Sequence, residues 1–206
     1  MVEAIAEQTN GVVAILPGTP AGIINAKQLE KIAKIANEGA GVVKLTSMQR
    51  MAILVKKEQV EDVKKQLAEV DLKVGVVGPE VWNPMGCPGK LCKYARQDAL
   101  TDAISIASLV GIKTPRPVKI AVSGCQNSCG WSKVVDIGLV GTKEGYDIYI
   151  GGDAGKNPRI GQKLKTVPKE EIVDCIKNII DKFNEFGKSG EHIYNVIDRE
   201  GINLFL

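Results

Sequence analysis

Four of the five cysteines fall in two close pairs, and thiolates at such spacing are ligands for iron or zinc. Pro88, Gly89, Lys90 and Leu91 separate Cys87 from Cys92, while Gln126, Asn127 and Ser128 separate Cys125 from Cys129. An iron–sulfur cube needs four thiolates arriving from several directions. Short spacers bring both sulfurs of a pair to one cube, and Gly and Pro let the loops wrap it. Two other chemistries compete for the same residues. Structural zinc usually takes more tightly spaced pairs, and two disulfides would need an oxidising compartment. Cys175 stands apart inside Glu171–Phe183, where it reads as a small buried hydrophobe.

The elements that must position these cysteines follow from periodicity. The first third reads β-α-β-β-α-β: strands Val12–Leu16, Val42–Leu45, Met51–Val55 and Lys73–Val77, and helices Lys27–Asn37 and Glu58–Val70. The first helix carries Leu29, Ile32, Ala33 and Ala36 at helical spacing, and Gly39 stops it; the second carries Val60, Val63 and Leu67. That order is the ferredoxin-like split βαβ pattern. Gly78–Leu91, crowded with Pro79, Pro84, Gly86, Pro88 and Gly89, is a loop that holds the first cysteine. A helix is expected over Cys92–Val110, with its N-terminus favouring the Cys92 thiolate. Strand Val118–Val122 runs into the second cysteine loop, Ser123–Trp131. Val134–Val140 and Tyr146–Ile150 form a hairpin across Gly141–Gly145. Helices from Pro168 to Phe186 and over Glu191–Arg199 complete the chain. The fold class expected is α+β: a ferredoxin-like half-domain over 1–77, then a mixed α/β domain over 78–206.

Composition excludes several classes. A net charge of +3, with basic residues spread along the chain, gives no nucleic-acid footprint. No apolar stretch is long enough to span a membrane, and the N-terminus carries no signal-peptide pattern. A cytoplasmic protein with reduced thiols is expected, and its cysteines point to metal or catalysis. Gly151, Gly152 and Gly155 do not make a phosphate loop: the spacing is one residue short, and Asn157 follows Lys156 where Ser or Thr is needed. His192, the only histidine, sits near a helix start and reads as a surface or capping residue.

With these motifs in view, the sequence resembles the sulfite/nitrite reductase haemoprotein family. The run Pro115-Arg116-Pro117-Val118-Lys119 leading to Gly124-Cys125-Gln126-Asn127-Ser128-Cys129 carries most of the likeness. Asp136–Gly141, Ile150–Asp153 and Lys44–Gln49 add to it. The resemblance implies that Cys87, Cys92, Cys125 and Cys129 hold a [4Fe–4S] cluster, with Cys129 bridging to sirohaem iron. Sirohaem carries many carboxylates and needs cations and backbone donors. Lys44, Thr46, Gln49, Arg50, Lys93, Asn127, Gly151, Gly152 and Arg159 are the residues implied for cofactor binding, the glycines by letting backbone approach the macrocycle. Arg116 and Lys119 match the family's basic run and are expected to bind and protonate the oxyanion.

The implied activity is six-electron reduction of sulfite or nitrite, with electrons from a ferredoxin-like donor. The rival reading is a non-enzymatic iron–sulfur or tetrapyrrole carrier. Three departures from the family pattern bear on the choice: a four-residue Cys87–Cys92 spacer where five is usual, Met48 where one form has Arg, and Pro117 in place of a lysine. The large enzymes of the family contain two copies of such a unit, so a homodimer would rebuild the double arrangement.

Overall fold

Short strands rich in Val and Ile, residues that suit a pleated and half-buried surface, build the first part of the chain. A computed structural model describes residues 1–206, apart from the side chain of Asn10. It divides the chain into two units, Met1–Val77 and Gly78–Leu206.

In the first unit β1 (Val2–Glu3), β2 (Ile5–Glu7), β3 (Val12–Ile15), α1 (Ala26–Glu38), β4 (Val43–Leu45), β5 (Met51–Lys56), α2 (Val60–Ala68) and β6 (Val76–Val77) follow in order. The main sheet is antiparallel with order β2-β3-β5-β4, and β1 pairs with β6. The strand expected over Lys73–Val77 is therefore split. Residues Lys73 and Gly75 bond to Gly18 and Leu16, just past β3, and only Val76–Val77 pairs as a strand. The N-terminal β2, which periodicity missed, takes the sheet edge beside β3. Helix α1 starts with a capping box, in which Asn25 Oδ1 accepts from Gln28 N–H and Gln28 Oε1 accepts from Asn25 N–H. Its buried stripe is Ile32, Ile35 and Ala36; Leu29 and Ala33, expected inside, face outward. These residues pack with Val13, Ile15, Ile53, Val63 and Leu67 in one core.

The second unit contains β7 (Met85–Gly86), α3 (Ala99–Ile106), β8 (Ile120–Ser123), β9 (Ile137–Gly141), β10 (Tyr146–Ile150), β11 (Gln162–Val167), α4 (Ile172–Phe186) and α5 (Ile193–Glu200). Its sheet has order β11-β10-β9-β8-β7. Strands β7, β8 and β9 are parallel, and β10 and β11 are antiparallel additions. Parallel neighbours need a crossover, and α3 supplies it between β7 and β8. Every residue of β8 and β9 is buried, which is why both read as unbroken apolar runs. Cys175 lies in the buried face of α4 with Ile172, Ile176, Ile179 and Ile180, as its position in the sequence implied.

Candidate metal centre

Two parallel strands deliver the cysteines to one edge of this sheet. β7 ends at Gly86, beside Val122 of β8, so Cys87 and the Gly124–Cys125 turn leave the sheet together. In open sheets, ligands bind beyond the carboxyl ends of parallel strands. A cavity of about 230 Å³ lies here, and its lining includes Cys87, Cys92, Cys125, Cys129, Tyr94 and Asn127. All four thiols are free; Cys129 is exposed and the other three are half-buried.

Backbone hydrogen bonds shape the first loop. Cys87 N–H donates to Val122 O at 3.0 Å and Cys92 N–H to Gly89 O at 2.9 Å. Asp98, just before α3, clamps the loop from the side. Its carboxylate accepts from Thr101 Oγ1 at 2.9 Å and Lys90 N–H at 3.5 Å, with the Lys90 ammonium also at 3.5 Å. Burial pushes Asp98 upward, but these bonds hold its pKa below the usual carboxylate range.

The expected helix at Cys92 is not formed. Cys92 is extended, with φ −102° and ψ 129°, and α3 begins at Ala99. Residues 92–98 spend their donors elsewhere: Arg96 and Gln97 N–H groups bond to Gly124 O at 2.7 and 3.1 Å. Cys92 therefore does not stand at the helix N-terminus expected to favour its thiolate; the same bonds instead fasten the first cysteine loop to the second. Gly124 allows this contact, since a Cβ there would stand 2.6 Å from Gln97 O.

The second loop rests on a buried hydroxyl pair. Ser123 Oγ accepts from Gly130 N–H at 3.0 Å and from Ser132 Oγ at 2.8 Å. Ser128 and Trp131 hold left-handed backbone, with φ 52° and 66°, a strain that concentrates at functional sites. Gly124 N–H points at Cys87 Sγ, 3.1 Å away. Backbone donors to sulfur stabilise and tune iron–sulfur clusters.

Four free thiols around one cavity are the donor set a [4Fe–4S] cube requires. The residues present fit a cluster, and a tetrahedral zinc ion would draw on the same four sulfurs.

The remaining predicted site residues divide into three places. Lys93 and Asn127 belong to the cysteine edge; Asn127 lines the cavity, and the Lys93 ammonium lies 5.0 Å from the Tyr94 ring centroid. Thr46, Gln49 and Arg50 line a separate cleft of about 300 Å³ inside the first unit. The turn from Thr46 to Arg50 closes on itself through Thr46 N–H to Arg50 O at 2.9 Å and Arg50 N–H to Thr46 Oγ1 at 3.2 Å. The Arg50 guanidinium is buried and donates to Val76 O at 3.0 Å, and burial lowers its pKa. Lys44 is exposed and does not line this cleft; Leu45 beside it does, and successive strand residues point to opposite faces.

Arg116, Lys119, Gly151, Gly152 and Arg159 are gathered at the amino edge of the second unit's sheet, away from the cysteines. Lys119 precedes β8 and Gly124 follows it, so at about 3.3 Å per residue they stand roughly 16 Å apart along the strand. Lys119 N–H donates to Asp136 Oδ2 at 2.9 Å, and Arg116 Nη1 to Gly190 O at 3.2 Å. Arg159 makes a two-pronged bond to Asp198, at 2.8 and 3.0 Å, and stacks over Tyr194 at 4.7 Å. A Cβ on Gly151 would lie 2.7 Å from Ile197 Cδ1, and one on Gly152 would lie 2.8 Å from Lys133 O. These two glycines admit the chain's own packing rather than a macrocycle. His192 does precede a helix, α5, with its N–H bonded to Asn195 Oδ1. It is the N-cap of that helix, the capping role expected, and its partly buried ring stacks on Tyr194 and lies 3.7 Å from Asp136.

Sequence reasoning missed three exposed side chains in the cysteine loops, of which Tyr94 lines the cavity. Leu91, Tyr94 and Trp131 are large, apolar and exposed beside the cysteines, at 85%, 58% and 48%. Their placement within two residues of Cys92 or Cys129 was the available signal.

Four free thiols line one cavity in an α+β frame of two units, a donor set of the iron–sulfur class. Residues 77–206 match the "Nitrite and sulphite reductase 4Fe-4S domain", and residues 5–70 match the "Nitrite/Sulfite reductase ferredoxin-like half domain". The chain belongs to the nitrite and sulfite reductase family, and its fold is the family's half-domain followed by the 4Fe-4S domain. An assimilatory-type sulfite reductase of Nitratidesulfovibrio vulgaris is 37% identical over 188 residues, covering 89% of this chain and 84% of that protein. A ferredoxin–nitrite reductase of Synechococcus elongatus is 32% identical over 82% of this chain, but the match spans only 36% of that protein. A Bacillus subtilis NAD(P)H nitrite reductase is 29% identical, with 95% of this chain matching 25% of it. The fold is shared with dissimilatory sulfite reductase I, at TM-score 0.85 and 15% identity, over 95% of this chain and 68% of that one. It is shared too with a Mycobacterium tuberculosis NirA protein, at TM-score 0.84 and 20% identity, over 94% of this chain and 39% of that one.

Proposed function

We propose that this chain is a sirohaem- and [4Fe–4S]-dependent oxidoreductase that reduces sulfite, or nitrite, by six electrons drawn singly from a ferredoxin-like donor. The carrying observation is the cavity that gathers Cys87, Cys92, Cys125 and Cys129 beyond the carboxyl ends of β7 and β8. Sulfite is favoured over nitrite because the assimilatory-type sulfite reductase shares 37% identity with this chain, against 29% and 32% for the two nitrite reductases.

In this reading the four thiolates would hold the cluster, and Cys129, the exposed one, would serve the sirohaem side as well. Bound together, the two groups would supply single electrons and an iron site for the oxyanion. The chain's own residues do the rest. Gly124 N–H steadies the Cys87 sulfur, and the Ser123–Ser132 pair holds the second loop in shape. Tyr94, exposed and lining the cavity, offers an aromatic face to a flat ring. Lys93 and Arg96, both exposed on the first loop, offer cations to its carboxylates. Thr46, Gln49 and Arg50 line a cleft of the first unit that places a hydroxyl, an amide and a buried guanidinium together.

The carrier reading keeps one observation in its favour. Arg116 and Lys119, the cations expected at the oxyanion, are placed at the far edge of the sheet. Turnover decides between the two readings. Protein loaded anaerobically with both cofactors should consume sulfite when supplied with a low-potential reductant such as reduced methyl viologen. Loaded protein that oxidises the viologen with neither sulfite nor nitrite would establish a carrier.

A further inference from the structure

A buried polar group lies beneath the cysteine loops and has no part in the reading above. Tyr146 of β10 is fully buried and donates its hydroxyl to Asp102 Oδ2 at 2.5 Å. Asp102, on the inner face of α3, is 2% exposed. Lys169, itself 42% exposed, brings its ammonium to 3.3 Å from Asp102 Oδ1. A hydrogen bond alone would be met by a neutral partner. Burying a carboxylate costs desolvation that a single ammonium at the solvent edge offsets incompletely. Stability is therefore a weak account of why a charge stands here.

The group connects to the cluster side by short steps. Tyr146 sits opposite Gly141 in the β9–β10 pair. A Cβ on Gly141 would lie 2.4 Å from Gly124 O, and Gly124 N–H donates to Cys87 Sγ. Burial, the bond to Asp102, and the charges of Asp102, Cys87 and Asp98 all push the Tyr146 hydroxyl far above its ordinary range. It stays protonated and remains a donor to Asp102.

We propose that Asp102, oriented by Tyr146 and partly balanced by Lys169, sets the reduction potential of the cluster that Cys87 helps to hold. This is a positioning role exercised through charge, and it rests on the cluster reading above. An electron entering the cluster adds negative charge to it, and net charge is one of the terms that set such potentials. A buried carboxylate opposes that electron and lowers the potential, more strongly than it would in water. Lys169 acts in the opposite sense, and salt screens it because it reaches solvent.

Redox titration of the cluster signal in anaerobically purified, iron-loaded protein tests this. Asp102→Asn keeps the size and an acceptor for Tyr146 but removes the charge, and should shift the potential upward. Lys169→Gln should shift it downward, by less, and the shift should fade in high salt. A structural loosening would not move the two variants in opposite directions. Should Asp102→Asn fail to fold, the surface series Lys169→Gln and Lys169→Glu decides, with Glu expected to lie below Gln. Potentials that stay put, or that move the same way, at unchanged iron content would overturn the proposal. Wild-type protein without iron and labile sulfide would overturn the cluster reading, and the proposal with it.

Discussion

At the carboxyl edge of the second unit's sheet, four free thiols and the exposed ring of Tyr94 line a cavity. At the amino edge of the same sheet, polar groups are paired with each other: Arg159 with Asp198, Lys119 N–H with Asp136, and Arg116 with Gly190. Both edges are made by β8, β9 and their neighbours, and both carry the residues a motif reader would select. The difference lies in what each edge holds open. The carboxyl edge keeps four thiols free beside a cavity and fixes them through backbone hydrogen bonds, whereas the arginines of the amino edge are engaged by the chain itself, with His192 Nδ1 the buried atom there that lacks a hydrogen bond.

The largest effect that can break this contrast is at the carboxyl edge. Cys125→Ser should reduce bound iron to near zero while the fold persists by circular dichroism; full iron retention would remove Cys125 from the ligand set. Next in size is Ser123→Ala, which strands the Gly130 N–H and the Ser132 hydroxyl in a buried position. A loss of about 1–3 kcal/mol is expected, read as a lower midpoint in denaturant together with faster cluster loss. Cys175→Ala is expected to cost about 1 kcal/mol and to keep all its iron, since Cys175 is packed among isoleucines in α4. Burial pushes its thiol pKa up, which adds to its inertness.

The smallest effect belongs to the amino edge. The hydrogen bond from Arg159 holds Asp198 below the usual carboxylate range, against a lesser upward push from burial. A folded pKa below the unfolded value of about 3.9 gives stability that is present at neutral pH and lost as pH falls through the folded value. Asp198 is 53% exposed, so the contribution is held to about 1 kcal/mol or less. Asp198→Asn should lower the unfolding midpoint slightly at pH 7, and the gap from wild type should close below about pH 3.9. Iron content should not change; a loss of iron here would mean that the amino edge serves the cluster after all.

Much of this was legible in the sequence. The pairs Cys87/Cys92 and Cys125/Cys129 share a cavity, and the strands at Val12, Met51, Val118 and Tyr146 appear where β-branched runs placed them. What was missed has physical causes. β11 reads Gln-Lys-Leu-Lys-Thr-Val and is mostly exposed, an edge strand whose lysines mask its pattern. The helix expected at Cys92 starts at Ala99 because bonds to Gly124, a residue remote in sequence, take the donors of Arg96 and Gln97. Arg116 and Lys119 lie six to nine residues before Cys125, close in sequence, yet a fully buried strand separates them in space. Motif proximity carries no direction along a strand. The Asp102–Tyr146 contact joins residues 44 apart, and no local spacing announces it.

One measurement bears most directly on the claim that the carboxyl edge is a cluster site: iron, labile sulfide and zinc per chain in anaerobically purified protein. The account predicts about four irons and four sulfides, and about five irons with sirohaem bands when the haem is present. One zinc per chain with no labile sulfide would contradict it.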